Sequence, residues 1–217
     1  MKIDLHTHTL VSKDCRSQYD RIIRAVLRSR VDGIAVTDHN EFEGAIELKR
    51  RAPFLVIPGE EIKTNAGEII GLFLHEWIPP GLDPVETVER IHEQRGVAYV
   101  PHPFDELRGS RIRRDALDRV APHIDMLEVF NARNALPQYN TRALDYAIQH
   151  RLLAGAGSDT HTYPEYGRGY IELPSFSNAA EFLESARRGT WHGRLSSPFV
   201  HVRTRYDRTL KVLGLSK

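Results

Sequence analysis

The sequence is almost free of cysteine: Cys15 is the only one among 217 residues. A single cysteine excludes an intramolecular disulfide and fits a reducing compartment. No segment comes near the roughly 20 apolar residues of a membrane-spanning helix. The opening MKIDLHTHTL also lacks the apolar core of a signal peptide. We therefore expect a cytoplasmic protein without a membrane partner.

An excess of charge of either sign is also missing, because 30 Lys and Arg stand against 29 Asp and Glu, for a net charge of +1. This balance gives no reason to expect a nucleic-acid or membrane partner. Hydrophobic residues make up 41% and charged residues 27%, which excludes a disordered chain. We predict a single domain over 1–217, in which the basic tail over 196–217 forms a closing strand and a short helix.

Short apolar runs alternate with amphipathic segments along the chain. The pattern predicts strands over 3–6, 34–37, 54–58, 68–74, 97–100, 124–130 and 152–156. It predicts helices over 19–31, 41–51 (capped by Asn40), 83–94, 139–150, and from a Ser177 cap to just before Gly189. Strands that alternate with helices indicate parallel βαβ units, in either a closed barrel or an open doubly wound sheet.

Histidine and carboxylate residues cluster at the ends of these predicted strands. His6 and His8 stand two apart at the end of the first strand, so their side chains point to the same side. Alone, this His-x-His pattern is weak, and Asp38-His39 after the second strand is also typical of a helix cap beside an incidental histidine. The later candidates are Glu60 and Glu61 (equally typical of a solvated turn), His102, Glu128, Asp159 and His161.

The placement of these candidates favours one fold over the other. A closed barrel gathers the C-terminal ends of its strands around one mouth, whereas an open sheet spreads them along an edge. We therefore predict a distorted α/β barrel of fewer than eight units, with a metal site at its mouth. Mixed imidazole and carboxylate ligands suit Zn, Mn or Fe, and the candidates exceed the needs of one ion.

The order of the motifs is that of a known family. DLHTHT at 4–9, TDH at 37–39, G-x-E at 59–61, VPHP at 100–103 and GSDTHT at 157–162 resemble the motifs of the PHP family, named for its polymerase and histidinol-phosphatase members. The segment 127–133 resembles small stand-alone members. The resemblance implies a distorted (β/α)7 barrel that hydrolyses phosphoesters with two or three divalent ions of Zn, Mn or Fe.

The resemblance also implies a ligand set. One ion would be held by His6, His8, Glu61 and Asp159, a second by Asp14, His39 and His161, and a third by His102 and Glu128, with Glu61 as a bridge. Many members carry a histidine where this chain has Ile70. His75 is not expected to replace that histidine, and Glu68 is an alternative ligand.

The expected mechanism is attack by a water whose pKa two close cations lower. His161 or His102 would protonate the leaving group, which neither can do while it binds a metal. Arg16 and Arg133 are the predicted substrate ligands because a guanidinium matches phosphate oxygens, although solvated arginines are more common. Cys15 is expected to be a small buried residue.

Several functions remain open at this stage. The leading hypothesis is hydrolysis of a small phosphorylated metabolite or nucleotide. A phosphodiesterase or exonuclease on nucleic acid would need a basic track, and the sequence offers only short arginine clusters such as 111–114, which are more typical of a solvated helix face. A protein-tyrosine phosphatase and a non-catalytic metal-binding module are further alternatives, although the nearly complete ligand set argues against the second.

Overall fold

The structure is a computed structural model that describes residues 1–29 and 31–213. Within these residues the strands are β1 (Lys2–Thr7), β2 (Gly33–Val36), β3 (Leu55–Thr64), β4 (Gly67–Leu72), β5 (Val97–Val100), β6 (Met126–Asn131), β7 (Leu153–Gly157), β8 (Gly169–Glu172) and β9 (Thr190–Gly193). The helices are α1 (Tyr19–Ser29), α2 (Glu43–Arg51), α3 (Pro84–Glu93), α4 (Arg114–Val120), α5 (Pro137–His150), α6 (Ala179–Ala186) and α7 (Phe199–Val212). No helix in this part of the chain has the length and apolar character needed to cross a membrane.

The strands form one mixed sheet that curls into a nearly closed barrel. Their order is β7-β6-β5-β4-β3-β2-β1-β8-β9. The chain just after β7 returns to β1, where Asp159 N donates to His6 O (2.7 Å) and His8 N donates to Thr160 O (3.1 Å). These hydrogen bonds join the two sides of the curled sheet, so the predicted barrel-like α/β fold is confirmed.

The prediction of parallel units throughout is wrong in the middle and at one edge of the sheet. β4 runs antiparallel to both β3 and β5, and β8 is antiparallel to β1 and β9. Only Asn65 and Ala66 connect β3 to β4. A two-residue connection allows a hairpin but not the long crossover that parallel strands require.

This hairpin also lengthens β3 beyond its predicted end at 58. Because β4 pairs with it as far as Thr64, Glu60 and Glu61 lie inside a strand, with their side chains on opposite faces. Glu60 accepts a hydrogen bond from the Ile78 N–H (3.0 Å), on the other side of the sheet from Glu61. Strand alternation therefore separates the two carboxylates that the sequence places side by side.

Several helix boundaries differ from the prediction. Asn40 does not cap α2, because it has a φ of 54° and its side chain accepts from Lys63 N (2.7 Å). Asn178, not Ser177, caps α6 by accepting from Glu181 N (3.0 Å). The tail forms the 14-residue helix α7 instead of a strand and a short helix, and α4, β8 and β9 were not predicted.

Apolar side chains cover both faces of the sheet. Val56, Val100 and Leu127 pack with helices α1 to α5, whereas their neighbours Ile57, Tyr99 and Met126 belong to a second cluster with β1 and α6. Each pair lies on adjacent positions of a strand, so the strands are buried on both faces, as expected of a covered sheet. The second cluster lies on the same sheet face as Glu61 and Glu128.

A hydrogen bond at the edge of this core predicts a small pH effect. His92 of α3 contacts Asp125 (2.9 Å), whose same oxygen accepts from Ala98 N (2.8 Å), and this bond raises the pKa of His92. The raised pKa means that His92 contributes its whole stabilisation below about pH 6.5, the pKa of histidine in the unfolded chain. This contribution is lost as the pH rises through the pKa of His92 in the folded protein. For metal-stripped protein, His92→Gln should lower the free energy of unfolding by under ~1 kcal/mol near pH 5.5, and by less near pH 8.5. Urea unfolding at both pH values measures this difference, with exposed His75→Gln as control; equal losses at both would contradict it.

Candidate metal centre

The predicted ligands converge at one end of the barrel-like sheet, although they are spread over most of the chain. They come from β1 and the residues after it, from the segments that follow β2, β5 and β7, and from β3 and β6 themselves. The buried members are His6, His8, Glu61, His102, Glu128, Asp159 and His161, and the partly buried ones are Asp14 and His39. The structure thus brings together all of the ligands that the family resemblance implies.

Irregular backbone at the strand ends helps to aim these side chains. The pairing register of β1 shifts between Asp4 and Thr7, and a similar shift occurs in β6 just after Glu128. Such bulges redirect side chains and are common beside active sites. His102 (φ 32°) and Asp159 (φ 52°) also have positive φ angles, which are uncommon for residues other than glycine and cluster at functional sites.

Glu61 lies at the centre of the cluster. Its Oε2 is 3.3 Å from His6 Nε2, 3.5 Å from His8 Nε2 and 3.0 Å from His39 Nδ1. Its Oε1 lies 3.0 Å from His102 Nε2. A carboxylate whose two oxygens face different imidazoles is placed to bridge two cations.

The residues implied for the first ion form one compact group. Asp159 Oδ1 lies 3.6 Å from His6 Nε2 and 3.4 Å from His8 Nε2, and the same two nitrogens face Glu61. These ligand atoms converge on one another, as donors around a single cation do. The geometry therefore suits His6, His8, Glu61 and Asp159 as one ligand set.

The residues implied for the second ion lie at the open side of this group. Asp14 places Oδ1 3.3 Å from His161 Nε2 and Oδ2 3.6 Å from His39 Nε2. The His8 ring lies near both histidines, with centroid distances of 4.3 Å to His161 and 4.5 Å to His39. The first and second groups are therefore adjacent, as a site for two nearby ions requires.

The third group differs in composition from the implied one. Both oxygens of Glu128 are already engaged: Oε1 contacts His6 Nδ1 (3.1 Å), and Oε2 accepts from His102 N (2.7 Å) and Asn131 Nδ2 (2.9 Å). A hydrogen bond to the ring nitrogen that does not bind the metal orients a metal-binding histidine. This position favours a supporting role for Glu128 over direct metal ligation.

Glu68 takes the position next to His102 and His39. Its Oε2 lies 3.8 Å from His102 Nε2 and its Oε1 lies 3.7 Å from His39 Nδ1. Ile70, two residues along the same strand, is fully buried in an apolar cluster. Many family members carry a histidine in the strand that corresponds to β4. This chain has a carboxylate on the same face of β4 instead, two residues before Ile70.

The electrostatics of the cluster differ from one ligand to the next. Burial favours neutral His6 and His39, but the carboxylates around them outweigh it and raise the pKa of both imidazoles, so a cation has to displace a proton from each.

His8 and two carboxylates are instead held in the forms that bind metal. Burial, together with the neighbouring His161 and His39, lowers the pKa of His8 well below its ordinary value. Burial opposes ionisation of Asp14, but His161 and His39 hold the pKa of its carboxyl well below the usual range. Burial opposes ionisation of Glu61 as well, and His39 and His6 outweigh it. A neutral imidazole and ionised carboxylates are the forms that bind metal ions.

Buried polar atoms without hydrogen bonds show that the cluster fits cations. Among the described residues, these atoms include His8 Nε2, Asp14 Oδ1, His39 Nδ1, Glu68 Oε2, Asp159 Oδ1 and His161 Nε2. Leaving such atoms unpaired in a buried site is costly, and a cation would satisfy them. Four groups of three residues from this cluster have ligand atoms that all lie within 4.8 Å of one another. The nitrogen and oxygen donors match divalent Zn, Mn or Fe.

A cavity of about 440 Å³ opens above the cluster; we call it the metal cavity. Asp14, His39 and His161 lie in its wall, and so does Arg108. Arg108 Nη1 is 2.6 Å from Asp159 Oδ2. From the sequence, Arg108 is one of several arginines near the site motifs, and the prediction prefers Arg16 and Arg133.

The two arginines that the sequence predicts as substrate ligands occupy different places. Arg133 lines the metal cavity and is nearly buried, with 4% of its side chain exposed. Its Nη1 contacts His161 Nδ1 (2.5 Å), and its Nε lies 3.4 Å from Glu165. Arg16 lies 3.6 Å from Asp207 of α7 and lines a neighbouring cavity.

Cys15 is buried beside the cluster, and burial raises the pKa of its thiol to about 12. Its Sγ lies 3.5 Å from His8 O and 3.4 Å from His161 O. A thiol with so high a pKa is not a thiolate near neutral pH. The environment therefore fits the expected role of a small buried residue.

Comparison with known proteins identifies relatives of this chain. The chain is 37% identical over 193 residues to the uncharacterized protein MJ0417 of Methanocaldococcus jannaschii, covering 84% of this chain and 78% of that protein. A two-domain protein of Bacteroides vulgatus ATCC 8482 that contains a predicted PHP-like metal-dependent phosphoesterase has the same fold, with a TM-score of 0.70 at 18% identity. That match covers 95% of this chain and 69% of the other. A family model described as PHP-associated matches residues 137–191.

The chain belongs to the PHP family. A further PHP-like fold match is endonuclease Q in complex with a 27-mer duplex that carries an abasic lesion at its active site, with a TM-score of 0.60 and 14% identity. That match covers 86% of this PHP chain and 56% of the endonuclease. At such identities these structures establish the shared fold, and the chemistry of this PHP protein has to be argued from its own residues.

Proposed function

We propose that this PHP protein hydrolyses the phosphoester of a small phosphorylated metabolite or nucleotide with the help of two or three divalent cations. One observation carries the proposal: a cluster of unsatisfied metal-ligand atoms and two guanidinium groups, those of Arg108 and Arg133, border the same cavity. Cations and guanidinium groups are the two means by which proteins hold phosphoryl oxygens.

The chain supplies ligands for the cations and holds those ligands in place. His6, His8, Glu61 and Asp159 would hold one ion, Asp14, His39 and His161 a second, and His102 with Glu68 a third, with Glu61 shared. When bound, these ions would supply an activated water and neutralise charge on the phosphoryl group. Glu128 would orient His6 through its 3.1 Å contact with Nδ1.

Two histidines were predicted both as ligands and as proton donors, and the two roles exclude each other. Both Asp159 O (2.9 Å) and Arg133 Nη1 (2.5 Å) lie at His161 Nδ1. Its Nε2 has no hydrogen-bond partner among the described residues and lies 3.3 Å from Asp14, so Nε2 is the atom placed for coordination. We therefore assign His161 to metal binding. His102 would protonate the leaving group only with two ions bound, because a third ion would occupy its Nε2, which faces Glu61 and Glu68.

Arg108 is proposed as a substrate-binding arginine, in preference to Arg16. It lies in the wall of the metal cavity with 19% of its side chain exposed, and it already pairs with a carboxylate. A guanidinium held in this way can exchange one anionic partner for a phosphoryl oxygen. Arg133 makes more contacts with the protein and would mainly position His161.

Arg108→Gln should raise KM for a phosphomonoester about 10-fold, the scale of one lost charge-assisted hydrogen bond. The effect on kcat should be smaller. Steady-state kinetics with p-nitrophenyl phosphate measure both constants. Arg113→Gln, a change at an exposed arginine outside the cavity, is the matched control. Equal KM values for the Arg108 variant and its control would remove Arg108 from the substrate site.

A phosphodiesterase acting on nucleic acid is the second candidate. The fold match to endonuclease Q favours it, since that protein is seen with a DNA duplex at its active site. The choice is tested by comparing p-nitrophenyl phosphate with bis(p-nitrophenyl) phosphate, using chelator-stripped protein to which Mn, Zn or Fe is returned. Our proposal expects faster turnover of the monoester, whereas a clear preference for the diester would favour the second candidate.

A further inference from the structure

Helix α7 lies across the mouth of the barrel with one polar face turned toward it. Val200, Thr204, Asp207 and Lys211 are spaced by four, three and four residues, so they share one face. Arg133 Nη2 donates to Val200 O (3.2 Å) and Thr204 Oγ1 (2.6 Å), and Lys211 Nζ donates to Leu10 O and Ser12 O. These contacts fix α7 over the site.

The helix separates two cavities. Val202 and Arg205 line the metal cavity, whereas Arg203 and Asp207 line a second cavity of about 470 Å³ on the other side of α7. His161 lies in the wall of both. The second cavity therefore meets the metal centre at one of its proposed ligands, and we call it the arginine cavity.

Positive charge predominates in the arginine cavity. Arg16, Arg21 and Arg203 line it, and Asp207 is the only carboxylate among its lining residues in the described chain. Three guanidinium groups against one carboxylate leave a net charge of +2. Helix α1 begins at Tyr19, directly after lining residues 16–18, so the positive end of its dipole adds to this field.

Each of the three guanidinium groups has a partner in the protein, although the Arg203 side chain is 64% exposed. Asp207, which is 2% exposed, lies 3.1 Å from Arg203 Nε and 3.6 Å from Arg16 Nη1. Arg21 lies over the ring of Tyr163, at 5.9 Å from its centroid. Groups that are already ordered lose less conformational entropy when an anion binds.

We propose that the arginine cavity is a second anion subsite that binds a phosphate group of the substrate other than the one at the metal centre. The inference rests on the proposed phosphoesterase function and narrows its substrate class to compounds with at least two phosphate groups. Guanidinium groups provide paired N–H donors that match phosphate oxygens. Both cavities border His161, so a phosphate group in the arginine cavity would lie beside a proposed metal ligand.

Binding of inorganic phosphate to metal-stripped protein tests the subsite without any turnover. Calorimetric titration should show phosphate binding that Arg21→Gln and Arg203→Gln each weaken about 5- to 10-fold, roughly the value of one charged hydrogen bond. Arg113→Gln, outside both cavities, should leave the affinity unchanged, and Arg108→Gln reports separately on phosphate bound in the metal cavity. Absence of binding, or equal binding by the Arg21, Arg203 and Arg113 variants, would overturn the subsite.

Kinetics test whether one substrate reaches both cavities. The inhibition constant of fructose 1,6-bisphosphate against p-nitrophenyl phosphate hydrolysis should be at least about 10-fold lower than that of fructose 6-phosphate. This gain in affinity corresponds to about one additional charged hydrogen bond. Arg203→Gln should remove that gain, whereas Arg113→Gln, outside both cavities, should keep it. Equal inhibition by both sugars would contradict the two-phosphate class. If no ester is hydrolysed at all, the proposed function fails, and the phosphate titration still decides whether the subsite exists.

Discussion

Asp159→Asn is expected to abolish metal-dependent hydrolysis and to remove most of the bound metal. The Asp159 side chain is buried, and its Oδ1 lies within 3.6 Å of both His6 Nε2 and His8 Nε2. Asparagine keeps the size of the side chain but removes the negative charge on which ligation depends. We expect turnover to fall by at least about 10³-fold, the scale of losing a major source of electrostatic stabilisation. Metal content per chain and p-nitrophenyl phosphate turnover measure the two effects.

The matched control for this change is Asp115→Asn, an exposed aspartate whose side chain is 76% exposed in α4. It should leave both metal content and turnover near wild type. His39→Ala should behave like Asp159→Asn, since His39 faces Asp14 and Glu61. Full activity and full metal content in either site variant would refute the ligand assignment.

Gly157→Ala is expected to have the largest effect on the fold. A Cβ at this position would lie 2.4 Å from His6 Cβ, 2.8 Å from Glu128 Oε1 and 3.0 Å from His6 N. Because both the His6 backbone and the Glu128 carboxylate are in the way, the methyl group has to displace β1, the strand that carries His6. We expect a loss of about 3 kcal/mol or more in the free energy of unfolding, at the upper end for overpacked cores. Metal affinity should fall with it.

The control for Gly157→Ala is Gly109→Ala, where an added Cβ meets nothing within 4 Å. Thermal unfolding of the metal-stripped proteins isolates the packing effect, and metal titration of the folded fraction then reports on His6. A Gly157 variant as stable as the Gly109 variant, with unchanged metal affinity, would show that His6 is not held in the described position.

Most candidate ligands of the site could be predicted from the sequence because they lie at the ends of apolar strands. His6, His8, His39, His102 and Asp159 lie at or just after strand ends, where barrel topology collects side chains from distant parts of the chain. The family resemblance added Asp14 and the choice of Glu61 over Glu60. The structure supplies a physical reason for that choice, because alternation along β3 sends Glu60 to the other face.

Other features could not be predicted because they depend on tertiary pairing. The apolar run that became β4 gives no sign of strand direction, and only the short connection at Asn65 and Ala66 requires a hairpin. Arg108 reaches Asp159 from a loop whose path no periodic pattern specifies. Helix α7 directs Phe199 and Tyr206 outward, with exposures of 80% and 58%, so its apolar residues do not mark its buried face.

The central claim is that the histidine and carboxylate cluster binds divalent cations that enable phosphoester hydrolysis. Titration of chelator-stripped protein with Mn²⁺, with bound metal and p-nitrophenyl phosphate turnover followed in the same samples, tests it most directly. We predict no turnover without metal and a rise that follows occupancy up to two or three ions per chain in wild-type protein. Stoichiometric metal binding without turnover of either the monoester or the diester, or turnover that persists after the metal is removed, would contradict the account.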